Sequence, residues 1–201
     1  MKKMKATLPH ALLLLLALAI AGCSGSVKNM RVASPDNIIT TPKTGKSLVI
    51  FMRPSGMAYA IQSSVFEIVN ETPELVGIVA AKKQVACEVD PGEHLFMVVG
   101  ESADFMSADL AADKTYYAYV TPRMGFWKAR FSLSPVNNEE RETATFKECH
   151  SSCEWVELTA ESENWAGSNL NDIQSKYREY HAKWMSKGET ERPRLYPQDG
   201  M

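Results

Sequence analysis

A mainly β domain, an antiparallel sandwich or barrel, is the fold class this sequence predicts, and three observations predict it. Short apolar runs recur at roughly 10-residue spacing with turn residues between them. Two of the runs alternate: Val85, Cys87 and Val89 between Gln84, Ala86 and Glu88, and Trp127, Ala129, Phe131 and Leu133 between Lys128, Arg130, Ser132 and Ser134. No helical pattern separates the runs from Ser47 to Pro135. The composition agrees. A chain of 201 residues, 45% hydrophobic and 23% charged, suits one domain with extras and excludes a disordered or polytopic membrane class. With 22 basic and 24 acidic side chains, a net of −2, it lacks the basic excess of a nucleic-acid binder. Four cysteines are too few for a disulfide-dense miniprotein.

The first segment reads as an address. Lys2, Lys3 and Lys5 precede an unbroken apolar run from Ala11 to Ala21. That run is too short to span a bilayer, which needs about 20 residues, and suits a signal-peptide core of about 7–15. It ends in Ile20-Ala21-Gly22-Cys23, which resembles the lipobox of bacterial lipoproteins: an aliphatic residue, two small residues and cysteine. The resemblance implies cleavage before Cys23, diacylglyceryl on its sulfur and acyl on its amino group. More than one acyl chain makes a stable anchor. Ser24 follows where Asp tends to retain family members in the inner membrane, so the resemblance implies the outer membrane. Removing residues 1–22 removes three lysines and no acid, leaving a formal charge of −5 and a surface mildly repelled by anionic head groups.

Residues 23–46, rich in Ser, Gly, Pro, Thr and Lys, read as a lipidated N-terminus and flexible tether. A β-sandwich domain is expected over 47–136. Leu48–Met52 is a strand stopped by Pro54, Met57–Val69 and Leu75–Ala80 are apolar runs, and Gln84–Val89 alternates. Asp90-Pro91-Gly92-Glu93 is a turn, since Pro presets φ and Gly accepts positive φ. His94–Val99 is the next strand, and Thr115–Val120 is rich in β-favouring aromatics.

Three of these pieces resemble the bacterial family called domain of unknown function 2846. They are Ser47–Met52 ending in Arg53-Pro54, the turn Val89–His94, and Asp113-Lys114-Thr115-Tyr116-Tyr117, with Asp113 where that family has Gly. The resemblance covers about 47–136 and implies a small Ig-like or prealbumin-like sandwich, often on lipoproteins. It implies no activity.

Residues 137–201 read as a C-terminal extension. Asn137–Glu140 is a loop, and 143–149 with 153–158 form a hairpin around His150-Ser151-Ser152, Phe146 opposite Val156. One amphipathic helix spans 168–187, with Leu170, Ile173, Tyr177, Tyr180 and Trp184 on one stripe. Ser168 or Asn169 would cap it and Gly188 end it. The remainder, with Pro193 and Pro197, reads as a loose tail. The stripe either packs on the sandwich or docks on another protein.

Chemistry is sparse. Cys149-His150-Ser151-Ser152-Cys153 admits a zinc site, a redox site or a structural disulfide. It lacks a second ligand pair and the Cys-x-x-Cys spacing, and an oxidising periplasm favours the Cys149–Cys153 bond. Cys87 is then a buried reduced thiol, or a partner of one of those two. His94 and His181 define no site in the sequence, and Glu139, Glu140 and Glu142 read as solvated charge. Tyr116, Tyr117, Tyr119 and Trp127 form either an aromatic sugar-binding surface or core and cross-strand pairs. No cofactor or metal is expected. The expectation is a non-catalytic outer-membrane lipoprotein of the periplasmic face, a binding or assembly module contacting the membrane through its lipid, with an envelope protein as possible partner. The alternatives are a small-ligand or cell-wall glycan binder and a thiol-based enzyme at Cys149/Cys153.

Overall fold

The computed structural model describes residues 27–125 and 129–201. Residues 1–22 with the cleavage motif, Cys23, Ser24 and Trp127 therefore lie outside the described residues. The strands are β1 (Met30–Val32), β2 (Ser47–Arg53), β3 (Ser63–Val69), β4 (Thr72–Val79), β5 (Lys83–Val89), β6 (Gly92–Val99), β7 (Ala103–Leu110), β8 (Lys114–Arg123), β9 (Arg130–Val136), β10 (Glu154–Leu158) and β11 (Arg194–Leu195). The helices are α1 (Asn138–Arg141), α2 (Ala144–Ser152), α3 (Ala160–Ser168) and α4 (Leu170–Met185). The fold is mainly β, with two mixed sheets. One runs β1-β10-β5-β2-β8-β9 and the other β11-β7-β6-β3-β4.

Strand alternation explains the layers. Val49 and Phe51 of β2, Phe96 and Val98 of β6, Met106 of β7, and Phe131 and Leu133 of β9 share one buried cluster between the sheets. There Phe51 and Phe96 meet edge to face, their ring centroids 5.1 Å apart. The opposite face of β2, Leu48, Ile50 and Met52, packs under Phe146, Cys149 and Cys153 at α2. The outer face of the second sheet, Phe66, Met97 and Phe105, packs under Ile173, Tyr177 and Trp184 of α4. The order is thus helix, sheet, sheet, helix. A strand covered on both sides reads as a continuous apolar run rather than an alternating one. That is why all seven residues of β2 are buried.

Several expectations are corrected. The sheets are not purely antiparallel: β2 lies parallel to β8, β10 to β5, and β11 to β7. Periodicity marks a strand but does not choose its neighbour. β7 is an added strand, obscured because Asp104 interrupts its inward face and Ser107 and Asp109 its outward face. The 143–149/153–158 hairpin is replaced by α2 and β10. Thr143 caps α2 by accepting the Phe146 N–H, and Phe146 and Cys149, three apart, bury one helical face. Val156 pairs with Val32 instead of Phe146.

The helix expected over 168–187 is present as α4, Leu170–Met185, and a further helix, α3, precedes it. Thr159 and Ser162 form a capping box that starts α3, and α4 begins after Asn169, whose side chain turns back to the Trp165 carbonyl. Leu170 is exposed, and α4 stops at Met185, before Gly188. Nor is the segment 23–46 wholly a tether. Val27 and Met30 are buried, and β1 pairs with β10.

The tail is docked rather than loose. β11 pairs with β7, and Leu195 is fully buried. Met201 exchanges two backbone hydrogen bonds with Thr115, at 2.9 and 3.0 Å. Gly200 sits so close to the Tyr116 ring that a Cβ there would meet Cζ at 2.5 Å. Residues 137–201 therefore complete both sheets, and the boundary at 136 does not separate two packing units. Leu195→Ala is expected to lower the free energy of unfolding by about 2–4 kcal/mol, measured by urea denaturation. A loss under about 0.5 kcal/mol would contradict the docking of the tail.

Candidate ligand cavity

Successive strand residues point to opposite faces, and this breaks up the expected aromatic surface. Tyr116 is buried between the sheets, its hydroxyl accepting the Ala111 N–H at 2.8 Å. Tyr117 is buried on the other face against Phe146, centroids 5.0 Å apart, with its hydroxyl 3.3 Å from His150 Nε2. Tyr119 is half-buried on that same outer face. The three tyrosines are core and cross-strand residues and present no shared exposed platform; Trp127 lies outside the described residues.

Cys149 and Cys153 form a disulfide with Cα atoms 4.6 Å apart. The bond joins the last turn of α2 to the residue before β10, and the Cys153 N–H donates to the Cys149 carbonyl at 2.8 Å. The alternative pairing of Cys87 with either residue is thereby overturned. Cys87 is a free, half-buried thiol on the inter-sheet side of β5. Burial, reinforced by Glu67, pushes its pKa up to about 12, so it stays protonated. Among the described residues no three His, Cys, Asp or Glu side chains gather as metal ligands.

His94 and Glu67 meet on strands of the second sheet. His94 Nδ1 lies 2.6 Å from Glu67 Oε1, and Nε2 lies 2.8 Å from the Asp90 carbonyl. Glu139 and Glu140 sit in the exposed first turn of α1, where Asn137 caps the Glu140 N–H, and Glu142 pairs with Lys147 at 2.7 Å.

The surface formed by the described residues includes three cavities of note. One of about 400 Å³ lies between residues 33–39 and β10, lined by Ile39, Val85, Trp155 and Leu158. A second, about 270 Å³, holds Arg123, Arg130, Lys183 and Lys187. Its cations are already matched. Arg123 pairs with Asp104 and Arg130 with Glu101 at 3.0 Å, Lys183 pairs with Glu179 at 2.6 Å, and Lys187 lies 3.9 Å from Asp104.

The third, about 300 Å³, lies between α4 and the docked tail. Leu95 and Ser107 line it from the sheet, His181 and Trp184 from α4, and Arg192 and Arg194 from the tail. The parallel pairing of β11 with β7 holds the tail in place, and the Ser107 N–H bonds the Pro193 carbonyl at 3.1 Å. His181 stacks on Tyr177, centroids 5.2 Å apart, and burial lowers its pKa below the ordinary 6.5. The Arg192 guanidinium lies over the Trp184 ring at 5.2 Å. Sequence reasoning missed this site because it assigned the tail no structure. The usable signal was Leu195 alternating with Arg194 and Tyr196 between two prolines, the pattern of a short strand.

No protein-family model matches the chain, and no curated protein matches its sequence.

The His94–Glu67 pair carries a pH dependence. The Glu67 hydrogen bond raises the His94 pKa above 6.5 against the opposing effect of burial, aided by the Asp90 carbonyl. The folded state therefore holds this proton more tightly than the unfolded chain. The stabilisation is complete below pH 6.5 and is lost as pH rises through the raised pKa. In urea unfolding across a pH series, the stability gap between the protein and His94→Gln is expected to be largest at acid pH and to shrink above pH 6.5. A gap that widens with pH would contradict this assignment.

Proposed function

We propose that this chain is a bacterial envelope lipoprotein. Its folded body, an Ig-like or prealbumin-like sandwich with helical covers, is held at the periplasmic face of the outer membrane by lipid on Cys23. It acts there as a non-catalytic binding or assembly module. The observation that carries the reading is Ile20-Ala21-Gly22-Cys23 at the end of the apolar run, behind three lysines. Among the described residues no helix is long and apolar enough to cross a bilayer.

For the domain-family resemblance, support comes from the turns that carry it. Asp113 takes φ +62° where Gly is usual, and Gly92 takes φ +127° after Pro91. A small-ligand-binding role is the second reading, favoured by the cavity between α4 and the tail. The thiol-enzyme alternative is disfavoured, because both sulfurs are joined to each other and buried against Leu48, Ile50 and Met52.

The test is growth with radiolabelled palmitate followed by membrane fractionation. The wild-type chain is expected to carry label and to fractionate with the outer membrane, and Cys23→Ser to carry none. Undiminished label on the Cys23→Ser chain would overturn the reading.

A further inference from the structure

The cavity between α4 and the tail shares Trp184 with its neighbour and differs from it in its cations: each cation there has a carboxylate, and Arg192 here has none among the described residues. Trp184 is 5% exposed, and its buried Nε1–H has no acceptor among the described residues. The buried Arg192 Nε–H has none either. Arg192 touches the Met185 thioether at 3.2 Å and the Trp184 ring, and no carboxylate pairs with it among the described residues. An indole N–H and a guanidinium are donors only, so whatever completes them must bring acceptors. Desolvated donors of this kind are costly to leave unmatched.

The charge count sets the ligand's valence. Arg194 is matched by Glu93 at 2.5 Å, and His181, held below its ordinary pKa, adds no charge near neutral pH. Arg192 is the cation without a paired carboxylate, and the Glu189 carboxylate in the same lining offsets it formally, which disfavours a ligand carrying more than one negative charge. The rest of the lining is Leu95, Met185, the Tyr196 ring and Ser107, whose hydroxyl donates to the Pro193 carbonyl at 3.4 Å. A volume of about 300 Å³ lies at the small end of small-molecule sites.

We propose that this cavity binds a small organic monocarboxylate, with the carboxylate on Arg192 and the Trp184 indole N–H and the apolar body on Leu95, Met185 and Tyr196. The proposal deepens the small-ligand reading and does not depend on the lipid anchor. A planar guanidinium suits a carboxylate, which can accept two parallel N–H bonds. A phosphate dianion would need a second unmatched cation.

The test uses the full-length, ¹⁵N-labelled protein in detergent. The indole N–H resonance of Trp184, assigned through Trp184→Phe, is followed while sodium benzoate, methyl benzoate or inorganic phosphate is added. Benzoate is expected to shift that resonance saturably, the uncharged ester to leave it unmoved, and phosphate to bind at least about tenfold more weakly. Arg192→Gln, checked for a native dispersed spectrum, is expected to weaken benzoate at least about tenfold. Glu189→Gln, which removes the opposing carboxylate, is expected to tighten it and serves on its own if Arg192→Gln does not fold. The proposal is overturned by no saturable shift with benzoate, by an equal shift with the ester, by preference for phosphate, or by either variant leaving benzoate affinity unchanged. Missing palmitate label would remove the anchor and leave the benzoate result standing; missing benzoate binding would do the reverse.

Discussion

The strand Ser47–Arg53 turns neither face to water, and the rest of the architecture follows from covering it. Its inward residues, Val49 and Phe51, are met by the second sheet. Its outward residues, Leu48, Ile50 and Met52, would lie against solvent if the chain ended at the sandwich. Burying each such side chain is worth on the order of 1.5–3 kcal/mol, so an uncovered face would cost a small domain much of its stability. The helix Ala144–Ser152 supplies that cover, and Leu170–Met185 does the same for Phe66, Met97 and Phe105. Folding back also sets the sheet margins. Glu154–Leu158 and Arg194–Leu195 add strands beside exposed backbone, and the buried Lys83 pairs with Glu154 where the first of them joins. Margins closed by strands as short as Met30–Val32 and Arg194–Leu195 offer little template for pairing with another chain.

Two arginines show how differently this interior treats the same group. Arg53 is fully buried, yet it donates to the carbonyls of Ile61, Met57 and Ala58 at 2.6–2.9 Å and of Val79 at 3.3 Å. Its guanidinium lies over the Phe131 ring. Burial lowers its pKa to about 10, which leaves it charged at neutral pH, and the charge closes the loop between Ser47–Arg53 and Ser63–Val69. Arg192 has a ring and a thioether where Arg53 has four carbonyls. The first guanidinium is held through both Nη atoms, with only its Nε–H lacking an acceptor among the described residues. The second is half of an interaction, and it lies in a cavity that exists only because the tail is pinned on the Ala103–Leu110 strand.

The β elements were legible wherever apolar residues alternated or ran unbroken between turns, which covers Ser47–Arg53, Lys83–Val89, Gly92–Val99 and Lys114–Arg123. Turn chemistry was legible too, since Gly92 and Asp113 take the positive φ that their positions demand. Ala103–Leu110 was not, because Asp104, Ser107 and Asp109 mask a strand whose inward face is carried by Met106, Ala108 and Leu110. The Cys149–Cys153 bond was foreseen in the wrong setting. A four-residue separation suits the end of a helix as well as a hairpin, and the Thr143 cap decides between them. The cavity was illegible for a different reason. The tail that carries Arg192, Arg194 and Tyr196 is set against α4 by a parallel pairing with residues more than 80 positions earlier, and no local pattern encodes such a contact.

The central claim is that the C-terminal third is part of the same cooperative unit as the strands it covers. Native-state hydrogen exchange, resolved by residue, tests it most directly. The amides of Ile50 and Phe51 in the covered strand, of Ser107, which donates to the Pro193 carbonyl, and of Thr115 and Met201, which bond each other's backbone, should open together at the global unfolding free energy. Early exchange at Ser107, Thr115 and Met201, with Ile50 and Phe51 still protected, would mean that the tail opens separately, and would contradict the account.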